Sequence, residues 1–139
     1  MSADNLLDTN VLICLLDASH PEKYQRAEQL VETGVRYHES CISPQVVQET
    51  LNVATRKLGF NENDAKQLLD RTLLPLCKVI PANRLYPLGL HIQFRYQYGF
   101  YDSLIIAAAL EVGCKTLYSE DLQHGQIIDR LTIKNPFRE

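Results

Sequence analysis

Short apolar runs alternate along this chain with longer stretches whose apolar residues recur every three or four positions, the rhythm of strands separated by helices. Leu6-Leu7 is the first such run, and it stops at the polar triplet Asp8-Thr9-Asn10 before Val11-Leu12-Ile13 opens a helix or irregular segment. Pro21 suits the first helical position, Tyr24, Ala27, Leu30 and Val31 come after it at helical spacing, and Gly34 reads as the end of that helix. Cys41-Ile42 is a second short strand. Ser43-Pro44 is a strong helix start, serine as N-cap and proline in the first turn, and the helix runs to about Leu58 before Gly59. Val46, Val47, Thr50, Leu51, Val53 and Ala54 form its apolar stripe, Gln45, Gln48, Asn52 and Arg56 face away, and Glu49 falls at the rim beside Val53.

Asn61 caps a further helix with Glu62 and Asp64 in its first turn, where the helix dipole favours acids. Leu76 to Ile80 is expected to be a third strand ended by Pro81, and a helix interrupted or begun near Pro87 runs through Leu90 and Phe94 to Gly99. Phe100-Tyr101-Asp102-Ser103 then opens an almost wholly apolar helix, Leu104 to Val112, which must be buried on nearly all sides before Gly113 ends it. Lys115 to Ser119 reads as the fourth strand and Thr132-Ile133 as the fifth. This alternation predicts an α/β fold with a largely parallel sheet covered on both faces. Ligands of such folds sit beyond the carboxyl ends of the strands, where strand order reverses. Asp8 and Asp121 both come directly after predicted strands. With no repeat, linker or low-complexity segment, residues 1–139 read as one domain.

Composition narrows the class. A chain of 139 residues, 45% hydrophobic and 22% charged, can bury a core without disulfides or structural metal. Cys14, Cys41, Cys77 and Cys114 are widely spaced with no CxxC pair, and the first residues show no basic segment followed by a small-residue cleavage site. Reduced thiols and a cytoplasmic location are therefore expected. The longest apolar run, Leu104 to Leu110, is too short to span a bilayer. Fourteen basic against seventeen acidic residues give a net charge of −3, which argues against an indiscriminate nucleic-acid binder. A local basic groove is still open to Arg56, Lys57, Arg71, Arg95 and Lys115.

The chemistry lies in four carboxylates, Asp8, Glu49, Asp102 and Asp121, each placed where a strand ends, a helix starts or a helix face turns inward. Singly, each has an ordinary explanation as a cap, a turn former or a solvated flank. Jointly they call for another, because acids brought together by a fold raise one another's pKa unless a cation neutralises them. Mg²⁺ or Mn²⁺ is the simplest such cation, and phosphodiester hydrolysis its natural chemistry. Asn10 can steady Asp8 or orient a water, or equally bond its own backbone, and Ser119-x-Asp121 pairs a hydroxyl with a carboxylate, leaving Glu120 to point elsewhere. Other sites lack support: His20, His38, His91 and His124 show no paired ligand spacing, and neither a phosphate-cradling glycine loop nor a GxSxG elbow occurs. Tyr96, Tyr98 and Tyr101 can stack bases, although packing is the commoner fate of such rings.

Taken together, Leu-Leu-Asp8-Thr9-Asn10-Val-Leu-Ile, Glu49 in a helix after a Ser-Pro start, Tyr101-Asp102-Ser103-Leu-Ile-Ile-Ala-Ala-Ala, Leu-Tyr-Ser119-Glu120-Asp121-Leu-Gln and the closing Asn135-Pro136-Phe137 resemble a PIN-domain ribonuclease, and among those a VapC-type toxin. The resemblance covers essentially the whole chain. It implies a three-layer domain with a five-stranded, mostly parallel sheet between helices, Mg²⁺ or Mn²⁺ in an acidic pocket, and endonucleolytic cutting of RNA, whether tRNA, rRNA or mRNA. It further implies a homodimer held inactive by a small antitoxin, with no membrane partner. Asp8 and Asp102 are then direct metal ligands, Glu49 a ligand or water-orienting base, and Asp121 a second-metal ligand, the position at which many relatives carry Asn. Thr9, Asn10 and Ser119 are supporting donors. Two alternatives stay open: a haloacid-dehalogenase-like phosphatase, although Asn10 stands where that class has a second Asp, and a non-catalytic metal-binding interaction module.

Overall fold

A computed structural model describes residues 3–138. Its sheet has five strands, β1 (Asn5–Leu7), β2 (Ser40–Cys41), β3 (Thr116–Tyr118), β4 (Ile127–Ile128) and β5 (Leu131–Lys134), in the order β2-β1-β3-β5-β4. All neighbours are parallel except β4 and β5. In β1, Leu6 and Leu7 are both fully buried because successive side chains of a strand point to opposite faces and helices cover each face here. Leu6, Cys41, Leu117 and Ile133 face α6 (Ala82–Tyr96) and α7 (Phe100–Val112). Leu7 and Ile42 face α1 (Thr9–Leu16), α2 (Pro21–Tyr37) and α3 (Pro44–Arg56). The result is the expected three-layer arrangement, with two cores separated by the sheet.

The predicted helix starts hold. Ser43 Oγ accepts from Val46 N–H at 3.4 Å, and Asn61 and Asp64 exchange side-chain and backbone bonds at the head of α4 (Glu62–Leu68). Gly113 ends α7 with φ 88. Gly34, by contrast, does not end α2. The helix continues to Tyr37 and stops at His38, whose φ of 58 is the left-handed cap, while Gly34 is buried where the helix crosses β2. A Cβ at Gly34 would lie 3.0 Å from Ser40 Cβ and 3.2 Å from Ser40 O, so the glycine serves close approach rather than termination.

The expected strand over Leu76 to Ile80 is corrected. α4 continues through a π-helical turn, Leu69–Leu73, into the short α5 (Leu74–Leu76), and the stretch beyond α5 makes a single parallel bridge, Cys77 to Ile42. The partner strand runs out there, because Pro44 already begins α3. The fifth strand is instead Ile127–Ile128, which turns back on β5 through Asp129 and Arg130, with Asp129 at φ 54 supplying the left-handed residue that a two-residue hairpin loop requires. Pro87 does not interrupt α6, which begins at Ala82 and carries the proline on its exposed side. Among the described residues no helix is long and apolar enough to cross a membrane.

This topology positions the site. The chain leaves β1 toward β2 on one side, and β3 pairs with β1 on the other, so the carboxyl ends of β1 and β3 flank the point at which strand order reverses. Leu7 and Tyr118 are in register, and Asp8 N–H donates to Tyr118 O at 2.9 Å. The next residues of the two strands, Asp8 and Ser119, emerge side by side.

Candidate active site

Asp8 is the N-cap of α1, only 5% exposed, and held from three directions. Oδ1 accepts from Thr9 N–H at 2.7 Å; Oδ2 accepts from Ser119 Oγ at 2.7 Å and, more distantly, from Asn10 Nδ2 at 3.4 Å. Asn10 ties the strand ends together: Nδ2 also reaches Ser119 Oγ at 3.1 Å and Asp121 Oδ2 at 3.2 Å, and Oδ1 accepts from Glu120 N–H at 3.2 Å. Of the roles open to Asn10, steadying Asp8 is the one built, and its own backbone is not its partner. Ser119 Oγ in turn accepts from Asp121 N–H at 3.2 Å, so both acids depend on one buried hydroxyl.

Glu49 lies half-buried at the rim of α3 where its place on the helical wheel puts it, and Oε1 accepts from Thr9 Oγ1 at 2.8 Å. Asp102 sits in the first turn of α7. All four acids line one cleft of about 590 Å³, together with Thr9, Asn10 and the apolar Ile13, Val53 and Ile105. Four elements that are remote in sequence thus deliver carboxylates to one cavity.

The electrostatics arise from that crowding. Burial pushes the Asp8 carboxyl up from 3.8 to about 6; the bonds from Ser119 and Thr9 oppose the rise, and the charges of Asp102 and Glu49 add to it. Asp102 is also raised, first by burial and then by Asp121. These groups are held in a state that a cation would relieve. Among the described residues, however, no three His, Cys, Asp or Glu side chains close into a ready-made cage. Asp8, Glu49 and Asp121 are each turned toward donors of the scaffold, Thr9, Ser119 and Asn10. Such an all-oxygen donor set fits a hard ion such as Mg²⁺, which keeps several waters and needs only one or two direct carboxylates. Asp8 and Asp102 would hold it, and Glu49 and Asp121, which line the same cleft, would be the acids available to its waters.

Several sequence expectations about the surroundings change. Glu120 does not point away: it lines the cleft, where its Oε2 meets Lys23 Nζ at 2.8 Å. None of Arg56, Lys57, Arg71, Arg95 and Lys115 lines the cavity, and its one lysine among the described residues is Lys23 on α2. The signal for Lys23 was its position four residues before Ala27, on the same helix face as the buried stripe of Ala27, Leu30 and Val31, at the point where that stripe runs out over the site. Asn52, assigned to the outward face of α3, borders the cleft as well. Tyr96 and Tyr98 pack on the core, whereas Tyr101 is exposed on the far side of α7 in a separate cavity with Leu85 and Tyr86. The four cysteines are free thiols and the four histidines are exposed.

The profile of the PIN domain family matches residues 6–128, a span that takes in Leu6 and Leu7 of β1, all four acids and the chain as far as the end of β4. The chain belongs to the PIN domain family. Three solved structures share this PIN fold. One is a chain of a toxin-antitoxin complex from Klebsiella pneumoniae, 18% identical, with a TM-score of 0.67 over 95% of this chain and 97% of that one. A second is VapC20 of Mycobacterium tuberculosis, described as a sarcin-ricin loop cleaving toxin, 19% identical, with a TM-score of 0.61 over 83% and 88%. The third is FitAcB from Neisseria gonorrhoeae, 17% identical, with a TM-score of 0.64 over 97% and 99%. At these identities the PIN fold is what is shared. Comparison with curated proteins gives no match.

Proposed function

We propose that this PIN domain is a Mg²⁺- or Mn²⁺-dependent endoribonuclease, acting on cytoplasmic RNA as the toxin of a toxin-antitoxin pair. The observation that carries the reading is the convergence of Asp8, Glu49, Asp102 and Asp121 on one cleft at the reversal of strand order, with Asp8 buried, immobilised and raised to about 6. The occurrence of the same fold in a toxin-antitoxin complex and in a sarcin-ricin loop cleaving toxin supports the biological setting and with it a small antitoxin as partner; a homodimer belongs to the same proposal.

The divalent ion, when bound, supplies neutralisation of phosphate charge and a more acidic water for in-line displacement at phosphorus. The chain's own contribution is positional. Ser119 and Thr9 fix Asp8 while its Oδ1 retains a second lone pair for the cleft. Thr9 likewise fixes Glu49 by one oxygen, which leaves the other to orient or deprotonate a water. The phosphatase alternative loses ground because Asn10, in the place of the second Asp, is consumed in the scaffold around Asp8 and is no acid or base.

The deciding measurement is the release of fragments from total cellular RNA in Mg²⁺ or Mn²⁺ and in EDTA. The wild type should cut only with metal, and Asp8→Asn or Asp102→Asn should lose at least about a hundred-fold in rate with an unchanged circular dichroism spectrum. Full activity of either variant in a metal-replete assay refutes the assigned roles. A wild type that binds metal and cuts no RNA points to the interaction module instead.

A further inference from the structure

Six carboxylates line the cleft, Asp8, Asp17, Glu49, Asp102, Glu120 and Asp121, and a polyanion must enter past them. The one lysine there among the described residues is Lys23, in the first turn of α2, joined to Glu120 with the two side chains 37% and 26% exposed. Its ammonium also lies 5.5 Å from the centre of the Phe137 ring. Three residues on, and so on the same side of the helix, Arg26 lies 5.8 Å from the ring of Tyr118 and donates from Nε to Pro136 O at 3.3 Å. Lys23 therefore stands in the lining of a largely acidic cavity, with Arg26 one helical turn behind it, outside the lining, and each cation is backed by an aromatic ring.

We propose that Lys23 is a phosphate-binding side chain for the RNA strand, paired with Glu120 in the free protein and transferred to a phosphate adjoining the scissile one when the strand enters. The inference rests on the nuclease reading and adds to it a place where the backbone is gripped. Three features carry it. The pair is partly exposed, and exposed ion pairs contribute so little that giving up Glu120 costs little. A phosphate accepts from an ammonium at least as well as a carboxylate does. Glu120 is adjacent to Asp121, so Lys23 stands next to the acids without being needed to hold them: Asp8 and Asp121 are secured by Ser119 and Asn10. Arg26, fixed by Pro136 and Gln29, continues the positive wall away from the cleft.

A merely structural ion pair and a substrate handle predict different signs. If the pair only fastens α2 to the β3 exit, breaking it from either side should damage the protein alike. If Lys23 is a handle, Lys23→Ala should raise KM for total cellular RNA about ten-fold with kcat within about two-fold, as loss of one charge-assisted contact implies. The same variant should reduce the salt slope of log kcat/KM by about one, and Lys23→Arg should restore both. Glu120→Gln should lower KM by about three-fold, the scale of an exposed pair released. That gain should vanish when Glu120→Gln is made in the Lys23→Ala background, because Glu120 acts through Lys23. Initial rates across RNA and salt concentrations in Mn²⁺ read all four. An unchanged KM in Lys23→Ala, or a KM raised in both single variants with falling thermal midpoints, overturns the inference and leaves the nuclease reading standing. A wild type inert toward RNA removes the nuclease reading itself, and this inference with it.

Discussion

Asp8 is an acid sealed into a cleft that it shares with others of its own sign. Its carboxyl is raised in the folded chain from 3.8 to about 6, so the folded state binds a proton more tightly than the unfolded one. The sign is the reverse of an ordinary salt-bridged Asp. Protonated Asp8 is tolerated below about pH 4; as pH rises through the window from 3.8 to about 6 its ionisation removes stability, and above 6 the whole penalty, on the order of 3 kcal/mol, is in force. Asp8→Asn keeps the shape and the acceptor for Thr9 N–H and removes the charge. In EDTA the variant should be more stable than wild type by on the order of 1–3 kcal/mol at pH 7.5, and the difference should shrink toward pH 4. Urea unfolding at both pH values measures it, and a variant less stable at pH 7.5 would contradict the crowding of charge that the cleft implies.

At the scale of elements, the architecture depends on helices crossing strands at close range, and Gly34 shows this most directly. Helix propensity alone makes Gly34→Ala favourable by about 1 kcal/mol, since alanine is the better helix former. Contact with the Ser40 backbone and Leu76 opposes it, because α2 must move off β2 to admit even a methyl group. Overpacking of this kind typically costs about 1–3 kcal/mol, so packing wins and the variant should be destabilised by up to about 2 kcal/mol net, checked by its urea midpoint. The same residue shows how local signals mislead. A glycine near the end of an apolar periodicity is normally a C-cap, and only the proximity of β2 reveals the other use. Likewise Leu76 to Ile80 has the composition of a strand, yet β2 has no length left to pair with it, while Ile127–Ile128 becomes a strand because β5 offers it a partner.

For the whole molecule, the two cores on either side of the sheet make the edge that bears the site a rigid platform, and what the platform lacks is compensating charge. Adding Mg²⁺ or Mn²⁺ to metal-free protein at pH 7.5 should therefore raise its thermal midpoint in proportion to binding, with about 2.7 kcal/mol gained at a hundred-fold excess over Kd. Protons compete for Asp8 below its pKa of about 6, so the gain should decline at pH 5. Asp8→Asn should abolish most of it. Calorimetric scans at the two pH values, with and without metal, test this, and an equal gain in wild type and variant would place the ion elsewhere.

Much of this protein was legible from residues alone, because the informative signals are local. Ser43 and Asn61 cap because their short side chains reach backbone N–H groups within one turn, Leu6-Leu7 must be buried on both faces, and an acid directly after a strand stands at the edge where α/β folds bind ligands. Asp8 and Asp121 could therefore be named as candidates from order along the chain, and Glu49 from its place on the helical wheel. What needed the tertiary structure was every relation between elements distant in sequence: that Ser119 reaches across to fasten Asp8, that Glu120 turns inward to Lys23, that Gly34 makes room for β2, and that β4 exists at all. Those outcomes are set by packing and by through-space charge, which fall off with distance in three dimensions and leave no periodic trace along the chain.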